Sequence, residues 1–358
     1  MVKLVDWSLL GLVVCASILL GIFLINRGRR KRQSADVLAV RTANGIDEGL
    51  FVRAGGIEQW ISIRGEDRNN PVLLVLHGGP ATSYMAFTQF FLSWERHFTV
   101  VQWDRRGVGK TFGRNGSSGS GEMTLDRIAD DGADIAAFLC RHLHRDRIFL
   151  LGHSMGSMIG ITLAARRPDL VDAYVGTEQI IDMASNEDLS YRIILERARA
   201  CAAVQTVRKL ERIGPPPYRN PRHWGVKQSA AEVVDSAYGR IAGHGLRTML
   251  YSPSYSFKDI FDFVGGSRFS IDKLYSQWQA FDARQLGSSF KTPIFIIEGE
   301  SDVMTPPELA DAWLAGIDAP QKAFVPIKGG SHMVFVTAAD AYLAELLARV
   351  RPLAAIRA

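Results

Sequence analysis

Gly152-His153-Ser154-Met155-Gly156 places a serine midway between two glycines, between an apolar run, Arg147–Leu151, and a helix-like stretch, Met155–Arg167. In a strand–turn–helix context this G-x-S-x-G spacing makes a sharp, strained turn. A Cβ at either glycine would clash, and the Ser154 hydroxyl is lifted above the sheet edge. A serine at its free pKa is a weak nucleophile, so a base and an orienting acid must come from elsewhere in the chain. Around such a turn the chain order is serine, then Asp or Glu, then histidine. His332, in Gly330-Ser331-His332 just after the strand-like Ala323–Ile327, is the expected base. Asp302, just past Pro293–Ile297, is the expected acid, with Asp182 and then Glu298 and Glu300 behind it. His77 and His153 sit in backbone motifs, and His97, His142, His144, His223 and His244 lack a position after a strand.

Attack on a carbonyl builds an oxyanion that needs two backbone N–H donors. Met155, the residue after the nucleophile, is expected to supply one. Gly79 of His77-Gly78-Gly79-Pro80 is expected to supply the other, with Gly78 in reserve. Gly109-Lys110-Thr111 resembles the end of a phosphate loop, but Asp104 stands where that pattern requires glycine, so the phosphate reading fails.

These residues need a frame that puts strand ends side by side. Short apolar runs at 71–76, 98–103, 147–151, 173–176, 293–297 and 323–327 alternate with helix-like stretches at 83–94, 124–140, 155–167 and 307–315. Such continuous apolar strands predict a mostly parallel sheet covered by helices on both faces, with the site at the C-terminal strand ends. Gly49–Arg64 reads as a hairpin turning at Gly55-Gly56, and Arg114–Glu122 as a flexible surface loop. The alternation breaks between 183 and 288, which is helix-rich, polar and aromatic, as expected of a cap inserted into the core. The expected organisation is an N-terminal anchor with its basic flank (1–32), a linker (33–45), an α/β core (46–182 and 289–358) and the cap (183–288).

The chain has 358 residues, 47% hydrophobic and 22% charged, which excludes a disordered or fibrous protein. The net charge of +5 is accounted for by Arg27, Arg29, Arg30, Lys31 and Arg32, because Lys3 and Asp6 cancel and the remainder is neutral. One short cluster is not a nucleic-acid-binding face. The three cysteines, Cys15, Cys140 and Cys201, have no metal-ligand spacing and read as reduced thiols. No metal or organic cofactor is expected. Trp7 to Ile25 carries no charge, and at about 1.5 Å per residue it can just span a hydrocarbon core of about 30 Å. Cations where a cleavage site should be favour a retained single-pass anchor over a removed signal. Their place after the span predicts a cytoplasmic catalytic domain.

The motifs resemble the α/β-hydrolase superfamily, and within it the prolyl-aminopeptidase-like (proline iminopeptidase, S33-type) branch, over about residues 46–350. The resemblance rests on His77-Gly78-Gly79-Pro80, on Gln102–Thr111 (QWDRRGVGKT), on Thr124–Asp134 (TLDRIADDGAD), on the Ser154 turn and on Gly330-Ser331-His332. It implies an α/β-hydrolase fold with a helical cap, and cleavage of small peptides or amides through an acyl-enzyme. It also implies that Trp103–Gly109 buttresses the oxyanion loop, and that acidic cap residues hold the substrate amine. Glu178, Glu187 and Glu196 are the candidates for that role, and Glu178 with Gly78 is the expected substrate contact. The chain departs from the branch at Ala81, Arg105, His153 and Met155, which puts proline specificity in question and leaves a carboxylesterase or lipase-like activity as the alternative. A non-catalytic scaffold that binds an apolar ligand under its cap is the alternative of another class.

Overall fold

A computed structural model describes residues 7–79 and 82–357, less the side chains of residues 7–11, 14 and 355–357. The departure at Ala81 lies outside the described residues. Eight strands form a sheet: β1 (Ile46–Ala54), β2 (Ile57–Gly65), β3 (Val72–Leu76), β4 (Thr99–Asp104), β5 (Ile148–His153), β6 (Val171–Thr177), β7 (Ile294–Gly299) and β8 (Lys322–Ile327). Their order is β1-β2-β4-β3-β5-β6-β7-β8. β1 and β2 make the expected hairpin, with Ala54 opposite Ile57, and β2 pairs antiparallel with β4. Every pair from β4 through β8 is parallel.

Strand alternation divides the core into two layers. Leu74 and Leu76 of β3 join an apolar cluster with Ile128, Ile159 and Leu163, whereas Leu73 and Val75 point into one built on Trp94, Phe335 and Tyr342. Both faces are covered because the strands are apolar on both, each buried large side chain contributing about 1.5–3 kcal/mol.

The helices are α1 (Trp7–Leu38), α2 (Gly109–Gly119), α3 (Leu125–His142), α4 (Met155–Arg166), the cap helices α5 (Met183–Ala200), α6 (Val204–Ile213), α7 (Pro221–Val234), α8 (Ser236–Tyr251) and α9 (Phe257–Gln279), then α10 (Pro307–Gly316), α11 (Val334–Thr337) and α12 (Ala339–Glu345). The cap enters and leaves at one place: Asp182 and Asp282 form a bridge, Met183 N–H donates to the Phe281 carbonyl at 3.0 Å, and Ala283 N–H to that of Ile181 at 2.7 Å.

Three local expectations change. The 83–94 stretch holds only short 3₁₀ turns at Met85–Phe91. The expected loop at 114–122 is largely the end of α2, kinked where Gly116 has a φ of 65°. Arg114 pairs with Glu58 at 2.7 Å, the Asn115 amide donates to the Glu58 carbonyl at 2.8 Å, and Phe112 packs on Phe269 of α9. These tertiary contacts override the weak helix propensity of glycine and serine. Finally, α1 continues through Leu38 into the expected linker. Among the described residues, no helix is long and apolar enough to cross a membrane.

Candidate active site

The turn after β5 has the backbone that the glycine spacing demands. Ser154 adopts φ 51° and ψ −123°, a left-handed conformation rarely tolerated by a residue with a Cβ. A Cβ on Gly156 would stand 2.1 Å from the Leu76 carbonyl oxygen, and one on Gly152 would stand 2.8 Å from the Ser157 Cα. Ser154 N–H donates to the Thr177 carbonyl at 2.9 Å, tying the turn to β6.

His332, in the loop after β8, faces Asp302, in the loop after β7, with Nδ1 and Oδ2 2.8 Å apart. Asp302 is fixed in turn. Its Oδ1 accepts from Met304 N–H at 2.7 Å and Thr305 N–H at 3.2 Å, and its Oδ2 accepts from the Thr305 hydroxyl at 2.5 Å. Burial alone would raise the Asp302 pKa, but the charge of His332 and these donors hold it below the usual carboxylate range. Burial alone would lower that of His332, and the charge and hydrogen bond of Asp302 outweigh this and raise it. The other candidate acids are occupied elsewhere. Asp182 caps α5 through Ala184 N–H, Glu298 accepts from Gln179 N–H at 2.6 Å, and Glu300 is exposed.

Ser154 and His332 open onto one cavity of about 200 Å³, together with Gly78, Gly79 and Met155. Met155 is the first residue of α4, where backbone N–H groups have no intrahelical acceptor. On the Gly79 side, the peptide plane is held from behind. The Gly78 carbonyl accepts from His77 Nδ1 at 3.0 Å and Thr82 N–H at 3.4 Å, which turns the trans N–H of Gly79 the opposite way. Arg105 donates to the His77 and Gly79 carbonyls at 2.6 and 2.9 Å. Arg105, one of the departures from the branch, is thus a brace of the loop. Gly78, the reserve donor, gives its own N–H to the Tyr84 hydroxyl at 3.2 Å.

The cap closes the cavity with Met183, Glu187, Trp224, Gln228 and Tyr238. The Tyr238 ring packs edge-on against His332, centroids 5.1 Å apart. Lys227 Nζ binds Glu187 Oε1 at 2.7 Å and the Ser190 hydroxyl at 3.1 Å, all three side chains being buried. Glu187 Oε2, Gln228 Oε1 and Trp224 Nε1 are buried without a hydrogen-bond partner.

Glu178 corrects the expected substrate contact. It is wholly buried, does not line the cavity, and accepts Val334 N–H at 2.9 Å behind His332. Its other oxygen touches His153, whose Nδ1 meets the Tyr84 hydroxyl. Glu196 does not line the cavity either. Sequence reasoning missed Gln228, Trp224 and Tyr238, because nothing in a cap helix without a motif marks which face looks down at the sheet. Among the described residues no three His, Cys, Asp or Glu side chains are arranged to hold a metal.

This chain belongs to the α/β-hydrolase fold family, which it matches over residues 71–339. A probable aminopeptidase, YbaC, of Bacillus subtilis is 28% identical over 78% of this chain and 88% of its own length. A putative carbamate hydrolase, RutD, of Rhizobium rhizogenes is 23% identical over 82% of this chain and 98% of its own. Among solved structures, a proline iminopeptidase-related protein from Thermus thermophilus superimposes with a TM-score of 0.58 at 18% identity, covering 86% of this chain and 99% of that one. A membrane phospholipase A gives 0.59 at 17% identity, covering 96% and 99%. The resemblance to the prolyl-aminopeptidase-like branch and the hydrolase class hold, and these structures share the fold.

Proposed function

We propose that the protein is a serine hydrolase in which Ser154 is the nucleophile, His332 the general base and Asp302 its orienting acid, acting on small amides or peptides with a free N-terminal amine. The observation that carries this is the His332–Asp302 contact of 2.8 Å opening onto the same cavity as the strained Ser154. Ser154 Oγ attacks the substrate carbonyl as His332 Nε2 takes its proton. The oxyanion sits between the Met155 and Gly79 N–H groups, and the Asp302 carboxylate stabilises the imidazolium. The C–N bond then breaks, His332 returns the proton to the leaving amine, and water hydrolyses the acyl-enzyme by the same route. Glu187 Oε2 and Gln228 Oε1, unpartnered acceptors at the cap end, suit the N–H groups of an amine.

A second reading rests on Lys227. Its contact with Glu187 neutralises the one carboxylate among the described residues that line the cavity, which favours an uncharged ester. A non-catalytic scaffold is disfavoured because binding alone needs neither a strained serine nor an ion-paired histidine behind it.

We further propose that α1, whose apolar residues Leu12, Val13, Ile18, Leu19, Leu20, Ile22, Leu24 and Ile25 are all exposed, holds the enzyme at a bilayer, and that the cations following them keep the catalytic domain on the cytoplasmic side.

The test is turnover by the full chain and by Ser154→Ala of a proline arylamide and a short-chain nitrophenyl ester. Arylamide cleavage lost in the variant supports the aminopeptidase reading. Ester cleavage alone supports the second, and turnover unchanged in the variant overturns both.

A further inference from the structure

The end of α1 does not hang free of the cap. Arg27 Nε and Nη2 donate to the Leu250 and Tyr255 carbonyls at 2.9 and 3.1 Å, and Lys31 Nζ donates to Tyr255 at 2.7 Å. These carbonyls lie at the end of α8 and in the turn that follows, where a helix dipole favours cations. The Arg27 guanidinium also stacks on the Phe257 ring at 4.0 Å, and that of Arg30 on the Tyr251 ring at 4.8 Å. Three of the cations that sequence reasoning assigned to a membrane-flanking cluster, Arg27, Arg30 and Lys31, are therefore clamps that set the direction of α1 against α8 and α9.

Beside this clamp, Phe257, Phe261 and Val264 stand on α9 at 41%, 76% and 59% exposure, with Leu246 of α8 at 59%. The spacing 257, 261, 264 places the first three on one helix face, and exposed Arg268 continues it. Exposed Lys258 and Arg247 border the apolar residues, and exposed Arg29 and Arg32 lie on the adjoining stretch of α1. Asp262 answers only part of this charge, pairing with Lys258 at 2.6 Å, whereas Asp259 pairs with Lys110 of α2 at 3.8 Å. An open cleft of about 470 Å³ between α1 and α8, bordered by Arg30, His244 and Arg247, lies at the same junction. Aromatic and aliphatic residues rimmed by cations are the signature of a face that lies in the headgroup region of an anionic bilayer.

We propose that this face of α9, with Phe257, Phe261 and Val264, rests on an anionic phospholipid surface beside α1. The inference rests on the reading of α1 as a membrane segment. It goes beyond an anchor on a tether, because the cap itself touches lipid. Since α8 carries Tyr238 against His332 at one end and the α1 clamp at the other, the bilayer then fixes the helix that roofs the site.

The test is a polarity-sensitive bimane label at Phe261→Cys in the full chain, with Cys15→Ser, Cys140→Ala and Cys201→Ser, reconstituted in phosphatidylcholine–phosphatidylglycerol vesicles. Asp311→Cys on α10 serves as the exposed control. Several-fold stronger quenching by nitroxide-labelled lipid at 261 than at 311, weakened in phosphatidylcholine alone, is the expected result. Water-like emission at 261 from chain that floats with the vesicles overturns this proposal and leaves the anchor standing. Chain that does not float overturns both. A label shielded yet unquenched by the lipid means that protein covers the face, and overturns the proposal as well.

Discussion

Glu178 Oε2 lies 2.6 Å from His153 Nε2, and both side chains are buried against the loop that carries His332. Burial holds the carboxyl well above its ordinary value and the imidazole well below its own, so the two meet as neutral groups. With Tyr84 they join Gly78 of the oxyanion loop to Val334 of the histidine loop. His153, a departure from the proline-cleaving branch, is the middle link of this strut.

That neutrality fixes a pH dependence of stability. A carboxyl raised in the folded state keeps its proton there while the unfolded chain releases it. Its stabilisation is therefore complete below its ordinary value near 4.5 and is lost as pH rises toward the folded value. Glu178 contributes a loss of about 1.4 kcal/mol per pH unit across that window. Glu178→Gln keeps an acceptor for Val334 N–H and removes the proton. Urea unfolding from pH 5 to 8 is expected to give a flatter slope in the variant, and parallel slopes would show an ionised Glu178.

The His332–Asp302 pair acts in the opposite direction and on rate. Asp302 holds the His332 pKa above 6.5, and only the neutral imidazole can accept the Ser154 proton. kcat/KM is thus expected to fall on acidification with a midpoint above 6.5. Asp302→Asn removes the raising charge and the correct tautomer, lowering kcat by roughly 10⁴-fold and moving the remaining acid limb to lower pH. The check is the pH profile of both proteins, and an unmoved limb would assign it to another group.

Strain at the turn predicts a stability gain at the expense of function. The φ of 51° at Ser154 costs about 1–3 kcal/mol for a residue with a Cβ, while glycine adds about 0.5–1 kcal/mol of unfolded-state entropy. Ser154→Gly is accordingly expected to be inactive yet about 1 kcal/mol more stable than Ser154→Ala, which keeps the strain. Denaturant midpoints of the two variants decide it.

What could be read from sequence is what is local. The apolar runs became strands because each is short, bounded and buried on both faces. The candidate site was legible from strand ends, since Ser154, Asp302 and His332 each lie a few residues past one. Contacts set by distant packing were hidden. The glycine- and serine-rich end of α2 is helical only because Glu58 and α9 hold it, and Arg27 and Lys31 show as clamps only once α8 is placed. Glu178 carries no sequence signal that separates a buried strut from a substrate contact, because its burial depends on Val334 and His153 arriving from other elements.

The cap end of the cavity gives the sharpest division between the two substrate readings. Glu187 Oε1 is taken by Lys227, and Oε2 remains without a partner beside the unpartnered Gln228 Oε1. If a substrate ammonium donates to Oε2, Glu187→Gln removes one charge-assisted hydrogen bond, worth about 1.5–3 kcal/mol, or at least roughly tenfold in kcat/KM. An ester without an amine makes no such bond, and its kcat/KM is expected to change by less than about twofold. Lys227→Met tests the same carboxylate from behind, because it leaves a buried charge unpaired at a cost of about 3–5 kcal/mol. Combining it with Glu187→Gln removes that charge and should restore most of the loss in a urea titration. An equal fall for arylamide and ester in Glu187→Gln would make Glu187 a part of the cap's frame and remove it from substrate recognition.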